Sequence, residues 1–277
     1  ELGGFTGMSK ISSLIYKPAP IQLSYLGYFA PTFLSCIDGW IGDKELFSSL
    51  NSIEKEEKLI YVKGGYMTFE PIVQTEINRQ PGEKIRFGSF NNSRKLSHAS
   101  INLFSKVLKE VKNSQLVIKS ITFVEREEQT RVKNLFLEAG VSIDQLIMLD
   151  WIDGTQAHME SYKWIDIALD PFPYGGATTT AEALWMGVPV ITLAGEGMIG
   201  RLSSSILTSA NCKEWIANDI TEYIKLAKSL ANEGLRNCDM RNKLKQKVAN
   251  SDLSNGRRVS SQFEKLFYES LEKSHKI

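Results

Sequence analysis

Strand and helix patterns alternate regularly from residue 84 to residue 193, and this alternation constrains the fold more than any other feature. Short apolar runs rich in β-branched residues are typical of strands, and the longer amphipathic segments between them are typical of helices. The alternation favours βαβ units with right-handed crossovers, and therefore an α/β protein with a doubly wound, Rossmann-like parallel sheet. The predicted strands cover residues 84–90, 114–119, 146–149, 165–169 and 188–193. The predicted helices cover residues 97–111, 124–139, 155–163, 178–186, 199–210, 219–232, 235–248 and 256–272.

A smaller set of strand patterns precedes this region. Strand-forming runs cover residues 21–25, 37–42 and 59–62, and Gly27 follows the first of them in a predicted glycine loop. These patterns predict a second, smaller lobe before the main sheet.

Residues 63–83 separate the two regions. They have no clear periodicity and hold three glycines and two prolines, so they are predicted to be a linker. We therefore expect residues 1–80 to form a partial N-terminal lobe with its linker, and residues 81–277 to form the C-terminal lobe. Because the chain opens at Glu1 in the middle of a pattern, we expect it to be a piece of a longer protein.

The charge balance and the cysteines exclude several classes of protein. The chain has 33 Lys and Arg residues against 32 Asp and Glu residues, whereas a nucleic-acid or membrane-surface protein needs a concentrated basic face. No apolar run approaches the roughly 18 residues of a membrane helix, and no signal peptide is visible. The three cysteines are far apart and odd in number, which favours a reducing compartment and a cytoplasmic location.

The densest functional pattern is DPFPYGGATTTAEALWMGVPVITLAGE at residues 170–196, where a predicted strand, a glycine loop and a predicted helix follow one another. The N–H groups and the partial positive charge at the start of a helix suit a phosphate, and Gly176 lets a ligand approach the backbone closely. Thr178 and Thr179 add hydroxyl donors. Glu182, one helical turn later, is placed to accept hydrogen bonds from both hydroxyls of a ribose.

The same residues also fit an interpretation that needs no ligand. Thr179 and Glu182 have the S/T-x-x-E spacing of a capping box, in which each side chain bonds the backbone of the other residue. The glycine loop at the carboxyl end of a strand favours the ligand site, and the spacing by itself leaves the capping box open.

A second pattern, FNNSRK at residues 90–95, lies between the first strand of the main sheet and its helix. Lys95 is a flexible point charge at the carboxyl end of that strand, which suits a pyrophosphate. A lysine in a loop is also often only solvated. Arg94 and Lys119 have comparable positions, and the sequence does not rank the three cations.

Histidine offers a third candidate. His158 lies in a short predicted helix after the third strand of the main sheet and could contact a base or a phosphate at the same sheet edge. The alternative is a packed or surface histidine. His98, in the first turn of a predicted helix, and His275, in the tail, are interpreted as structural or exposed.

Several common catalytic and cofactor patterns are missing from the sequence. There is no DxD motif and no cluster with metal-ligand spacing, so no metal is expected. No GxGxxG follows a strand, and no GxxxxGK[ST] or GxSxG is present, which disfavours a dinucleotide oxidoreductase, a P-loop NTPase and an α/β-hydrolase.

Three separated runs resemble one family in the same order and spacing. The run at residues 170–196 is similar to the donor-binding signature of the O-GlcNAc transferase family, glycosyltransferase family 41. YKPAPIQLSYLGY at residues 16–28 is similar to its N-terminal-lobe signature, and RFGSFNNSRKLS at residues 86–97 to its pyrophosphate-lysine region. The resemblance extends over most of the 277 residues.

The resemblance implies a two-lobed GT-B fold with a nucleotide sugar between the lobes, held mostly by the C-terminal lobe. It implies an inverting, metal-independent transfer from a UDP-sugar, usually UDP-GlcNAc, to Ser or Thr of a protein or peptide acceptor. It also implies tetratricopeptide repeats upstream in the full-length protein. No cofactor beyond the UDP-sugar substrate is expected, and neither nucleic acid nor membrane is an expected partner.

The resemblance further implies roles for individual residues. Lys95 matches the lysine that holds the diphosphate, and His158 matches a histidine near the uracil and phosphates; these two are the candidate catalytic residues. Thr178 and Thr179 match the threonines that bind phosphate, Glu182 matches an acidic residue that binds the ribose, and Asn92 stands in place of a glutamine that contacts the nucleotide. Leu26 and Gly27 match a loop beside the sugar. The candidate donor-binding residues are therefore Asn92, Lys95, His158, Gly176, Ala177, Thr178, Thr179, Glu182, Leu26 and Gly27.

The chain departs from the family pattern at a few positions. Ala177 stands where the animal enzymes have a histidine, Ser161 replaces an arginine near the base, and FAP at residues 29–31 replaces Pro-Gly-Thr. The proposed catalytic histidine of the family lies earlier than the first residue of this chain, so the first lobe is expected to be incomplete. Residues 63–83 are too short for the large insertion of the animal enzymes.

Two other functions stay open on the sequence. A UDP-GlcNAc 2-epimerase could share the fold, but it would need acidic and histidine side chains facing the sugar, and no convincing set is visible. A degenerate relative could hold a UDP-sugar, or nothing, and act as a scaffold. The changes at Ala177 and Ser161 lean slightly toward that binding module.

Overall fold

The computed structural model describes residues 1–7, 9–71, 73, 76, 82–233 and 238–274. A three-stranded parallel sheet comes first, with its strands in the order β1-β2-β3. These strands are β1 (Leu23–Ser24), β2 (Gly39–Asp43) and β3 (Leu59–Val62). They confirm the predicted smaller set of strands, although the predicted strand at 21–25 is reduced to two residues.

The second sheet has six parallel strands in the order β6-β5-β4-β7-β8-β9. Its strands are β4 (Ile85–Ser89), β5 (Ser114–Lys119), β6 (Leu146–Leu149), β7 (Ile167–Leu169), β8 (Val190–Leu193) and β9 (Ile216–Ala217). The chain therefore winds outward from β4 in one direction and then returns to place β7 on its other side. Ligands of such sheets bind at the carboxyl ends of the strands where the winding reverses, here between β4 and β7.

Helices connect the strands and form two packed groups. The helices are α1 (His98–Glu110), α2 (Arg126–Glu138), α3 (Thr155–Glu160), α4 (Thr178–Trp185), α5 (Gly197–Ser209), α6 (Ile220–Asn232), α7 (Cys238–Ala249) and α8 (Gly256–Ser274). Helix α1 packs against α2 and α6, whereas α4 packs against α5 and α7. This grouping fits helices on both faces of a doubly wound sheet.

The main core lies along the central strands. Leu116, Val117 and Ile118 of β5 and Phe87 of β4 have no solvent exposure. A parallel strand covered on both faces is buried at every position, so its sequence is a continuous apolar run and not an alternating one. This burial is why the strands of the second sheet could be predicted from short apolar runs.

The structure changes several predicted boundaries. The predicted helix at 155–163 is an α-helix only to Glu160, followed by a 3-10 turn from Ser161 to Trp164. Strand β9 was not predicted, because a two-residue strand is too short to show a period. Residues 235–237 of one predicted helix, the predicted lobe boundary at 80/81 and His275 lie outside the described residues.

The first part of the predicted linker packs against the C-terminal region. Tyr66 is buried, and its backbone N–H donates to Asp43 Oδ2 at 2.6 Å. The Phe69 N–H donates to the Leu253 carbonyl oxygen at 2.8 Å. The segment from 63 to 71 is therefore an ordered connection, and its lack of periodicity reflects irregular backbone.

Helices α5 and α8 join the small sheet to the large one. Asp43, at the end of β2, also accepts a hydrogen bond from Ser205 Oγ of α5, and Arg201 of α5 donates to Glu45 Oε1 at 3.2 Å. On the other side, the rings of Tyr25 and Phe263 of α8 lie 4.8 Å apart. Within the described ranges, no helix has both the length and the apolar character needed to cross a bilayer.

Candidate functional site

A cavity of about 530 Å³ opens at the carboxyl ends of the central strands. Its wall is formed by residues that follow four strands of the second sheet: Phe90 and Asn92 after β4, Ile121 after β5, Trp151, Gly154, Thr155 and His158 after β6, and Thr178, Thr179 and Glu182 after β7. The position matches the point where the winding of the sheet reverses, so the strand order by itself predicts a ligand here.

The wall of this cavity has an apolar and a polar part. Phe90, Ile121 and Trp151 supply the apolar surface, which suits a flat ring. The polar part contains amide, hydroxyl, imidazole and carboxylate groups from Asn92, Thr178, Thr179, His158 and Glu182. Such a surface can bind a ligand that joins an aromatic base to hydroxyl and phosphate groups.

Buried Asp170 organises the glycine loop between β7 and α4. Its Oδ1 accepts a hydrogen bond from the Gly176 N–H at 2.8 Å, and its Oδ2 accepts one from Thr192 Oγ1 at 2.8 Å. Burial raises the pKa of the Asp170 carboxyl, although these hydrogen bonds and nearby Lys95 act in the opposite direction. A Cβ atom at Gly176 would lie 2.5 Å from Thr180 Oγ1, so only glycine fits the loop as it stands.

The start of α4 shows whether Thr179 and Glu182 form a capping box, which was the alternative to a ligand site. Ala177 is the N-cap residue and makes no side-chain cap, so Thr179 lies inside the helix and the capping-box interpretation is wrong. Thr179 Oγ1 instead donates to Asn91 Oδ1 at 3.0 Å. Among the described residues, the N–H groups of Thr178 and Thr179 have no acceptor, which leaves two donors at the positive end of the helix.

His158 and Glu182 are joined across the cavity. His158 Nε2 lies 3.0 Å from Glu182 Oε2, and both side chains are 15% exposed. Tyr162, which is fully buried, places its hydroxyl 3.3 Å from the same Glu182 oxygen and 3.2 Å from the Thr179 carbonyl oxygen. Burial raises the pKa of Tyr162 well above its usual value, so this hydroxyl is a donor.

The structure separates the three candidate cations that the sequence could not rank. Lys95 lies at the end of a 3-10 turn after β4, and its Nζ donates to the Gly175 carbonyl oxygen at 2.7 Å. The same Nζ lies 4.0 Å from the centre of the Tyr174 ring. Burial lowers the pKa of Lys95, whereas Asp170 raises it. Lys95 is thus held against the glycine loop, Arg94 is exposed, and Lys119 is buried beside His158.

Asn92, a predicted donor-binding residue, lies on the cavity wall, and part of its side chain is already engaged. Its Oδ1 accepts a hydrogen bond from the Arg94 N–H at 3.0 Å and so caps the short turn that carries Lys95. The amide nitrogen of Asn92 is the group left to face a ligand.

Leu26 and Gly27 are not part of the cavity wall. They follow β1 of the small sheet, where Leu26 has a left-handed backbone with φ of 70°. A Cβ atom at Gly27 would lie 2.2 Å from the Leu2 carbonyl oxygen, so glycine is required by the close approach of the N-terminal segment. A role for these two residues beside a sugar stays a prediction.

Sequence reasoning missed some residues that complete the site. Phe90 is the last residue of one predicted strand and Trp151 comes soon after another, and these positions were the available signal for the apolar wall. Tyr162, which holds Glu182, had no comparable signal, whereas Asn91, which holds Thr179, lies in the FNNSRK run at residues 90–95. Both contacts join residues that are distant in sequence.

Comparison with known proteins places this geometry in a family. The family model described as glycosyl transferase family 41 matches residues 68–263, which include the whole cavity wall. The chain belongs to glycosyl transferase family 41.

Family 41 relatives cover most of this chain. This chain is 32% identical over 261 residues to a probable UDP-N-acetylglucosamine–peptide N-acetylglucosaminyltransferase SPINDLY of Hordeum vulgare. The match covers 92% of this chain and 28% of that protein. It is 30% identical over 260 residues to the protein of the same name from Arabidopsis thaliana, with the same coverages. The chain thus spans just over a quarter of the length of these curated relatives.

Solved structures confirm the fold. A mutant of the O-GlcNAc transferase of Thermobaculum terrenum superposes with a TM-score of 0.82 at 26% identity, over 97% of this chain and 52% of that one. Sucrose-phosphate synthase of Thermosynechococcus elongatus superposes with a TM-score of 0.54 at 14% identity, over 86% of this chain and 59% of that one. The α/β fold of the GT-B type that the sequence predicted is therefore confirmed.

Proposed function

We propose that this family 41 chain contributes the donor-binding site of an inverting glycosyltransferase that moves a sugar, GlcNAc, from a UDP-sugar to Ser or Thr of a protein acceptor. The cavity at the β4–β7 switch point supports this proposal, because it combines an apolar wall with two helix N–H donors and a carboxylate. The names of the relatives, which describe probable peptide N-acetylglucosaminyltransferases, agree with it.

The parts of a UDP-sugar match the parts of the cavity. The uracil base would lie against Phe90 and Trp151, where stacking needs only a flat apolar surface. The ribose hydroxyls would donate to Glu182, and the diphosphate would accept hydrogen bonds from Thr178 and Thr179. In this arrangement His158 lies between the base and the phosphates.

The reaction would join the acceptor oxygen to the anomeric carbon, on the face opposite UDP, and the proton of the acceptor hydroxyl would be released to solvent. As that bond forms, the bond between the anomeric carbon and the diphosphate breaks, and its electron pair moves to the diphosphate oxygen. Preorganised donors that stabilise this growing charge provide most of the rate enhancement in such reactions. Lys95 and the N-terminus of α4 would supply them, which is why we expect no metal to be needed. Leu26 and Gly27 would lie beside the sugar.

We extend the proposal to the full-length protein. Its acceptor would be a protein or peptide, tetratricopeptide repeats would precede this region, and the protein would act in the cytoplasm. Neither nucleic acid nor membrane would be a partner. Within the described residues, no group of three or more His, Cys, Asp or Glu side chains could hold a metal ion.

A binding module is the second candidate. The N-cap position of α4 carries Ala177, which offers no side-chain donor to a phosphate, and Ser161 replaces an arginine of the family pattern. A protein of this kind would bind UDP and transfer no sugar.

Two measurements on the full-length protein test these functions. Calorimetric titration with UDP measures binding, and an assay of UDP release with and without a protein acceptor measures transfer. Acceptor-dependent UDP release supports the glycosyltransferase, and binding without release supports the module. Release without an acceptor, accompanied by an altered sugar, supports the 2-epimerase alternative. No UDP binding, or a complex structure with the nucleotide away from residues 175–182, contradicts the proposed site.

A further inference from the structure

Lys119 is a buried cation beside the proposed nucleotide site. It ends β5, and only 1% of the residue is exposed. Its Nζ lies 3.2 Å from His158 Nδ1 and 2.8 Å from Ser161 Oγ, and it is 5.7 Å from the centre of the Phe90 ring and 5.3 Å from that of Trp151. A lysine in such surroundings costs free energy that an apolar side chain would not, so its presence calls for a specific role.

The hydrogen bonds around Lys119 have fixed directions. Ser161 Oγ uses its own hydrogen to donate to the Ala157 carbonyl oxygen at 2.9 Å, so it can only accept from Lys119. Burial lowers the pKa of Lys119 to about 8, although Glu182 acts in the opposite direction, and the group is therefore still an ammonium at pH 7. An ammonium has only donors, so His158 Nδ1 must accept as well.

The tautomer of His158 follows from this direction. With Nδ1 accepting, the ring hydrogen of neutral His158 is on Nε2, where it donates to Glu182 Oε2 at 3.0 Å. The Tyr162 hydroxyl shares its one hydrogen between the same oxygen at 3.3 Å and the Thr179 carbonyl oxygen at 3.2 Å. In the part of the chain that the structure describes, Glu182 Oε1 has no hydrogen-bond partner, and Glu182 lies on the cavity wall.

We propose that Lys119 is a positioning residue of the nucleotide site, which keeps His158 Nδ1 free of hydrogen, so that the ring donates only from Nε2–H and holds the Glu182 carboxylate ready to accept hydrogen bonds from the ligand. Lys119 acts through His158 and need not touch the ligand. The proposal deepens the proposed function and rests on it for the identity of the ligand. The charged and titratable groups that face His158 are Lys119 from β5, Glu182 from α4 and Tyr162 from the turn after α3.

The test measures the tautomer and the affinity separately. Long-range ¹H–¹⁵N correlation spectra of the His158 ring, recorded at pH 7 on the wild type, should show hydrogen on Nε2. In Lys119→Met, which keeps most of the length of the side chain and removes the donor, Nδ1 should become free to bind hydrogen while the Glu182 carboxylate still accepts from Nε2–H, so part of the molecules should show hydrogen on both ring nitrogens. Calorimetry should then show UDP binding about tenfold weaker, as expected for the loss of one hydrogen bond to a charged group.

Ser161→Ala is the matched control, because it removes the other acceptor of Lys119 and leaves the contact with His158 in place. This variant should keep the Nε2–H tautomer. A wild-type spectrum with hydrogen on Nδ1 would overturn the proposal even if Lys119→Met does not fold, and so would an Nδ1 that stays without hydrogen in Lys119→Met. If the wild type shows the Nε2–H tautomer that Lys119 controls but binds no UDP, the proposed function fails and the positioning of His158 stands.

Discussion

Replacing Lys95 by methionine tests the proposed chemistry most directly. The change keeps most of the length of the side chain and removes a charge that lies 2.7 Å from the Gly175 carbonyl oxygen. If Lys95 stabilises the leaving diphosphate, its removal should cost about 3–4 kcal/mol in the transition state, or about 100- to 1,000-fold in kcat.

The effect of the same change on stability should be much smaller. A hydrogen bond from a charged group contributes about 1.5–3 kcal/mol, and its loss leaves the Gly175 carbonyl oxygen without this donor. The methionine also removes the cost of burying an ammonium, a cost that the lowered pKa of Lys95 makes visible. The two effects oppose each other, so the free energy of unfolding should change by no more than about 2 kcal/mol.

The assay is acceptor-dependent UDP release by the full-length protein, measured together with unfolding in urea. Lys228→Met serves as the control, because Lys228 pairs with Glu110 at 3.0 Å on the surface and both side chains are about half exposed. Such a pair contributes at most about 1 kcal/mol, so this variant should fold and turn over like the wild type. Turnover of Lys95→Met within threefold of the wild-type value would refute the assignment of Lys95 to the leaving group.

Three further predictions concern the loop, the ribose contact and pH. Gly176→Ala should lower the free energy of unfolding in urea by about 1–3 kcal/mol, because the new Cβ atom would overlap Thr180 Oγ1. A loss below about 0.5 kcal/mol would mean that the loop moves aside easily and does not require glycine. Glu182→Ala should weaken UDP binding in calorimetry by about tenfold, and unchanged affinity would remove the carboxylate from the ribose contact. The pKa of Lys119 falls on folding to about 8, so the unfolded state holds more protons between pH 8 and about 10.5. The stability of the wild type relative to Lys119→Met should therefore rise by about 3 kcal/mol across that window, and a flat difference would contradict the burial of a charged lysine.

Much of the second sheet could be predicted because parallel strands are buried on both faces. Their apolar runs and the capped start of α1, where Ser97 Oγ accepts from the Ser100 N–H at 3.1 Å, are local signals. Strand β9 has two residues and was missed. Its place in the sheet depends on pairing with β8, which a local pattern does not report.

The candidate site was predicted in outline and not in its contacts. The glycine loop and the threonines after β7 suggested an anion site, and the structure brings Thr178, Thr179, His158 and Glu182 to one cavity. Spacing also suggested a capping box, because a threonine and a glutamate three residues apart have the same sequence pattern in a capping box and in a ligand site. The backbone at Ala177 excluded it, since the helix begins one residue before Thr179.

The sequence by itself determined that strands and helices alternate, that a glycine- and threonine-rich segment follows a strand, and which family the chain resembles. These features depend on residues that are close together in the chain, or on the order of its segments. Only the tertiary structure decided which hydrogen-bond partner each buried or half-buried lysine reaches. Lys95 follows β4 and Lys119 ends β5, yet one reaches the Gly175 carbonyl oxygen and the other reaches His158. That difference arises from the order of the strands in the sheet, which places β4 beside β7 and β5 beside β6, and so sets which loops each side chain can reach.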